Sequence, residues 1–193
     1  ESEASLSRAL SSLGIKRESV VIADKWWPLL RTAGSITKTI DERLSRLGTD
    51  YIDLHQIHNP YSISSIRAQM REMAKLADEG KVRYVGVSNF SAEDMRKAHM
   101  ELSRMGLALV SNQVNYSLVR REIETNGVLD AARDLGMTII AYSPLGRGIL
   151  TGKFHENPGL LKTRNIFRRY YGALSRSHIE SSRPVVEALG RVA

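Results

Sequence analysis

The stretch LSRLGTDYIDLHQIHNP, residues 44–60, passes from one periodicity to another. Ahead of Gly48, the apolar residues Ile36, Ile40, Leu44 and Leu47 recur at helical spacing and share one face. Gly48 is placed to end that helix, because glycine enters the left-handed conformation of a helix stop without a Cβ clash. Beyond it Ile52-Asp53-Leu54-His55-Gln56-Ile57 has the length of a strand, and it runs out into the polar His58-Asn59-Pro60. Helix, glycine, strand and polar end together read as one turn of an αβ repeat.

The same pattern extends in both directions. Strand-like runs begin near Val20 (VVIA), Ile52 (IDLHQI), Arg83 (RYVGV), Leu109 (LVSNQV) and Thr138 (TIIAY), roughly 26 to 32 residues apart, the size of a βα unit. Between them lie amphipathic helices. One carries Ile66, Met70, Met73 and Leu76 and stops at Gly80. Another opens on a Ser91–Asp94 capping box, carries Met95, Ala98, Leu102 and Met105 and stops at Gly106. A further helix carries Val128, Leu129, Ala132 and Leu135 up to Gly136, and a leading helix carries Leu6, Leu10 and Leu13 up to Gly14. The methionines read as core filler rather than a binding stripe.

Uninterrupted alternation means an α/β fold with a parallel sheet, and the Val/Ile density of the strands suits a sheet covered on both faces. An open doubly wound sheet and a (β/α)8 TIM barrel both fit. No GxGxxG follows any strand, which removes the main signature of a dinucleotide-binding open sheet. Five strands cannot close an eight-stranded barrel, so the chain is expected to be part of a larger barrel domain. The missing initiator Met points the same way, as do a leading helix with no strand before it and a final helix that Pro184 is placed to start. From about Gly146 to Ser182 no period is visible, which suits a functional loop.

The 193 residues are 42% hydrophobic and 25% charged, ordinary for a globular domain, with no apolar run long enough to span a membrane. With no cysteine, a disulfide framework, a thiolate metal site and a Cys nucleophile are excluded. The net charge of +7 suits a polyanionic cofactor, and it equally suits a solvated surface. Its densest cluster, from Lys153 to Arg176, includes Arg164, Arg168 and Arg169. No aromatic–basic or zinc-finger pattern supports nucleic acid binding. A cytoplasmic location is the default expectation.

In a barrel, catalytic groups sit at the carboxyl ends of strands. Those ends here are Asp24-Lys25, His58-Asn59-Pro60, Ser88-Asn89, Gln113 and Tyr142-Ser143-Pro144-Leu145-Gly146. Singly, each has a plain reading: a surface lysine, a structural histidine, a turn, a backbone-satisfying amide. Together, at the same end of successive strands, they suggest one pocket. Alternation along the strand puts His58 with Leu54 and Gln56 and turns His55 towards the helix layer, where it reads as structural.

At these residues the chain resembles the aldo-keto reductases. The segment 44–60 is similar to the one that carries that family's catalytic histidine. EGKVRYVGVSNFSAEDM (79–95) resembles its fifth-strand segment, residues 111–154 resemble its sixth and seventh strands, and VVIADK (20–25) stands where the family has its lysine strand. The likeness runs from about Ser2 to Phe154 and makes the five runs strands three to seven of the barrel. It implies reduction of aldehydes or ketones by hydride from a nicotinamide, NADPH in most relatives, with a small-molecule carbonyl as partner. It implies Lys25 and His58 as catalytic residues. Ser88, Asn89 and Gln113 would hold the carboxamide and Tyr142 would stack on the ring. Ser143, Pro144, Leu145 and Gly146 would follow the pyrophosphate, and Lys153 would lie near the phosphates. No metal is implied.

The family's catalytic Asp and Tyr would lie upstream of the leading helix. Asp24 does not replace that Asp, since it neighbours Lys25 and faces the other way, at a position where the family often has threonine. Two alternatives stay open: a regulatory, cofactor-binding subunit like the potassium-channel β subunits, which tend to lack the His-x-Pro string kept here, and a catalytically inactive partial barrel. Substrate identity and oligomeric state are not legible.

Overall fold

The computed structural model describes residues 2–161 and 175–192. Arg164, Arg168 and Arg169 of the basic cluster lie outside the described residues. Strands β1 (Ala23–Trp26), β2 (Ile52–Ile57), β3 (Val82–Ser88), β4 (Leu109–Asn115) and β5 (Thr138–Tyr142) stand side by side in chain order. β1 to β4 pair in parallel, with Lys25 opposite Gln56 and Ser88 opposite Gln113, and a register shift falls at Val85/Gly86. Sequential order in a parallel sheet is what short crossovers through helices produce.

The helices are α1 (Ser2–Ser12), α2 (Ser35–Lys38), α3 (Ile40–Leu47), α4 (Ile66–Asp78), α5 (Ala92–Ser103), α6 (Val128–Asp134), α7 (Lys153–Glu156) and α8 (Arg176–Val192). The expected stripes are buried: Ile36, Ile40, Leu44 and Leu47, then Met70, Met73 and Leu76, then Met95, Ala98 and Leu102. Ser91 caps α5 as anticipated, its Oγ accepting the Asp94 amide at 3.1 Å. The glycine stops at Gly14, Gly48, Gly80, Gly106 and Gly136 all have positive φ.

Four details differ from expectation. The first strand begins at Ala23, not Val20: Val21 is 80% exposed, because Arg17 and Asp53 tie down the chain just before the strand and the sheet is entered late. The stripe from Ile36 to Leu47 is cut at Thr39 into α2 and α3 without losing its buried face. The leading helix α1 buries no residue. Finally, α8 starts at Arg176 and holds Pro184 inside it.

The chain divides into two compact units. The first comprises residues 1–114 and 126–140, and the second residues 115–125 and 141–193. The first contains β1 to β3, most of β4 and β5, and the helices α1 to α6. In the second, Ile149, Phe154 and Ile179 form a small buried cluster. There the His155 imidazole joins α7 to α8 by contacts of 2.8 Å to the Ile179 carbonyl and 3.1 Å to the Ser182 hydroxyl. In the described part of the stretch without visible period lie short helical turns at Gly146–Thr151, Lys153–Glu156 and Pro158–Leu161, and the first turns of α8.

Candidate active site

In the first unit, four strand ends carry five of the expected site residues. Lys25 is the penultimate residue of β1, and His58 follows β2 with its backbone N–H donating to the Trp26 carbonyl at 3.0 Å. The Asn89 amide donates to the His58 carbonyl at 3.3 Å and to the Ser88 hydroxyl at 3.1 Å. Ser88 Oγ in turn donates to the Gln113 carbonyl at 2.8 Å. Hydrogen bonds therefore run from the end of β2 through β3 to β4. Asn89 holds φ at +59°, in the left-handed region that asparagine tolerates better than most non-glycine residues.

Two side chains here are charged or titratable and half-buried. Burial pulls the Lys25 ammonium below its usual pKa, opposed by the neighbouring Asp24 carboxylate. Burial also lowers His58, and the positive charge of Lys25 lowers it further. The His58 ring therefore stays neutral at neutral pH. Among the described residues, neither the His58 ring nitrogens nor the Gln113 side-chain amide has a hydrogen-bond partner, so both are available to a ligand.

Strand alternation sends Asp24 and His55 to the opposite face, as anticipated. Asp24 accepts from Arg43 of α3 at 2.8 Å and lies 3.5 Å from the fully buried His55. Burial holds His55 at a pKa of about 4, with Asp24 opposing and Arg43 reinforcing the shift.

Two features escaped the sequence reading. Trp27 packs edge-to-face on His58, with ring centroids 4.5 Å apart, and a second consecutive tryptophan gave no pattern to separate it from its buried neighbour Trp26. Gly86 leaves room for Gln56 and Ser111: a Cβ there would clash with Ser111 Oγ.

In the second unit, the loop after β5 is built from unusual backbone. Ser143 (φ +55°), Gly146 (+56°), Arg147 (+57°), Gly148 (+95°) and Gly152 (+79°) are all left-handed. Gly146 N–H donates to the Ser143 carbonyl and Gly148 N–H to the Leu145 carbonyl, folding Ser143, Pro144, Leu145 and Gly146 into a tight turn. Tyr142 precedes that turn, and its carbonyl accepts from the Tyr116 amide at 3.4 Å. Lys153 Nζ lies 5.2 Å from the Phe154 ring centre and beside Gly148. A cavity of about 300 Å³ opens between Ser143, Gly146 and Arg147 of this loop and His178, Ser181 and Ser182 of α8. No group of three or more potential ligands for a metal ion occurs among the described residues.

A sequence profile described as the Aldo/keto reductase family matches residues 1–191. The chain belongs to the aldo/keto reductase family. Aldo-keto reductase YhdN of Bacillus subtilis (strain 168) is 38% identical over 164 residues, covering 81% of this chain and 47% of that protein. The 6-dehydroglucose reductase of Novosphingobium aromaticivorans is 37% identical over 159 residues, covering 78% of this chain and 50% of that one. The chain thus spans about half the length of the curated relatives it matches. A thermostable aldo-keto reductase, Tm1743, solved with the inhibitor epalrestat, superposes with a TM-score of 0.68 at 28% identity, over 81% of this chain and 58% of that one. The five strands are accordingly part of a TIM barrel of the aldo-keto reductase type.

Proposed function

We propose that the protein to which this chain belongs reduces aldehydes or ketones to alcohols with NADPH, as a cytoplasmic enzyme whose residues 1–193 lie in one barrel domain. The observation that carries this reading is the run of strand ends in the first unit. Lys25 is near enough to His58 for its charge to act on the ring, Asn89 and Ser88 link the ends of β2, β3 and β4, and Gln113 presents an open amide. A nicotinamide carboxamide needs both donors and acceptors, and the Ser88, Asn89 and Gln113 side chains supply both.

When bound, the reduced nicotinamide supplies the hydride. The chain's own residues then polarise the carbonyl and manage the proton. His58, kept neutral by burial and by Lys25, can donate a ring N–H to the carbonyl oxygen without carrying a charge of its own. Lys25 places a positive charge where it favours the deprotonated form of a neighbouring acid, which is the role the family gives its lysine beside a tyrosine. In the second unit, we assign Tyr142 to ring stacking, Ser143, Pro144, Leu145 and Gly146 to the pyrophosphate, and Lys153 to the phosphates. A right-handed residue followed by a left-handed one is the local geometry from which backbone anion nests are built, and Leu145 (φ −89°) followed by Gly146 (φ +56°) has it, which supports the assignment.

The test is NADPH titration of the full-length gene product, with NADPH oxidation followed on adding a simple aldehyde. Saturable binding is expected, weakened about tenfold by Asn89→Ala or Gln113→Ala, the loss of roughly one good hydrogen bond. Binding that ignores both substitutions, or no binding at all, would sink the assignment.

A further inference from the structure

In the second unit, α7 sends two side chains to opposite sides, since residues two apart on a helical turn are separated by about 200°. Lys153 turns towards the loop after β5, its Nζ 3.6 Å from the place a Cβ would take at Gly148. His155 turns towards α8. A carbonyl oxygen only accepts, so the His155 Nε2 carries a hydrogen and donates to the Ile179 carbonyl at 2.8 Å. Ser182 Oγ gives its own hydrogen to the same carbonyl at 2.9 Å and stands 3.1 Å from Nε2 as a second acceptor. The other ring nitrogen, Nδ1, is buried without a hydrogen-bond partner, so among the described residues the ring's hydrogen bonds run to α8 alone. The apolar contact beside this link is small, consisting of Ile149, Phe154 and Ile179. Gly152, at φ +79°, leads straight from the loop into α7, and a Cβ there would lie 3.5 Å from Val186 of α8.

Resting on the reductase reading, we propose that His155 is a positioning residue: by fixing α7 to the first turns of α8, it holds Lys153 and the turn at 143–152 where they meet the cofactor's phosphates. That turn contains five residues of positive φ, and two of them, Ser143 and Arg147, are not glycine. Local preference does not favour such backbone, which persists only where its surroundings hold it. A cluster of three apolar side chains is a slight support for it, and the bond from His155 adds direction to that support. The imidazole touches neither the phosphates nor the carbonyl substrate. It acts through the helix that carries Lys153 and through Gly152, which joins that helix to the turn.

The experiment uses the full-length gene product as wild type, His155→Leu, His155→Gln and Ser182→Ala. Titration gives the affinity for NADPH, calorimetry the affinity for inorganic pyrophosphate, and turnover of a simple aldehyde at saturating NADPH gives kcat. His155→Leu keeps apolar bulk and loses the donor. It should weaken NADPH and pyrophosphate about tenfold, the loss of roughly one good hydrogen bond, and leave kcat unchanged. His155→Gln, whose amide N–H reaches the Ile179 carbonyl, should recover most of that affinity, and Ser182→Ala, which removes one of two acceptors, should show a smaller loss. Where His155→Leu is too unstable to purify, Ser182→Ala decides, and wild-type affinity in that variant overturns the inference. A folded His155→Leu that binds NADPH as the wild type does, or that loses kcat with its affinity intact, overturns it equally. Pyrophosphate binding that depends on His155, in a protein that does not oxidise NADPH, would uphold the positioning role and overturn the reductase reading instead.

Discussion

Lys25 and His58 illustrate how burial and a neighbouring charge act on single groups. Both are pushed towards their neutral forms by desolvation, and Lys25 adds to the shift on His58. Replacing Lys25 by Met should lower kcat by about 10²–10⁴, the usual contribution of a group serving proton transfer, with NADPH affinity unchanged. Stopped-flow turnover set beside a binding titration separates the two effects. His55 belongs to stability instead. Folded, it stays neutral down to about pH 4, whereas an unfolded histidine takes up a proton near ~6.5. The stability from this group is therefore full above the unfolded value and falls as pH drops from there towards about 4, by about 2 kcal/mol between neutrality and pH ~5. Urea melts at the two pH values should show that loss in the wild type and a clearly smaller one in His55→Asn. The residue types at the strand ends were legible from alternation alone, which separated His58 from His55 and Lys25 from Asp24. The edge-on partnership of Trp27 was not, because a contact between two loops leaves no period in either.

Strands and helices show where a local rule governs and where packing overrules it. β3 carries a glycine in its interior, normally a weakening choice, and its reason is spatial: Gly86 faces Ser111, whose buried hydroxyl has no partner among the described residues. Gly86→Ala should destabilise by about 1–3 kcal/mol through overpacking, and Ser111→Ala in the same chain should recover much of it, since it removes the clashing oxygen and an unsatisfied hydroxyl together. Chemical denaturation of the two single variants and the double variant forms the cycle that checks this. Helix α5 was legible to its cap, because Ser91 and Asp94 act within one turn. The start of β1 was not. The apolar Val20-Val21 reads as strand, yet Asp53 of β2 takes the Ile22 amide at 2.9 Å and the Arg17 guanidinium at 2.6 Å, which fixes the approach to the sheet before pairing begins.

Among the described residues, most of the buried side chains lie in the first unit. β2 and β3 each pair in parallel with a strand on both sides, with Ile52, Ile57, Val85 and Val87 almost fully buried. Asp53 anchors this region. Burial alone would raise its pKa, but the Ile22 amide, Arg17 and Arg83 outweigh that and hold it below the usual carboxylate range. Amide hydrogen exchange should be slowest in β2 and β3 and fast in α1, whose residues are nowhere buried. Exchange in α1 as slow as in β2 would contradict that ranking. Among the described residues no helix is long and apolar enough to cross a membrane.

What the sequence determined by itself was the repeating unit. Periodicities of 3.6 and 2 and the glycine stops are local signals, and they located the five strands and the helices between them. The motif strings of residues 44–60, 79–95 and 111–154 carried the family, because each joins a strand to its turn and polar end with particular residues at those places. Only the tertiary structure decided which polar residues touch. The Asn89–His58 and Ser88–Gln113 links, the Trp27–His58 contact and the space left by Gly86 join residues about 25 to 31 positions apart in sequence. Contacts of that kind depend on strand register and twist, which are set by the packing of all the units at once rather than by any one of them.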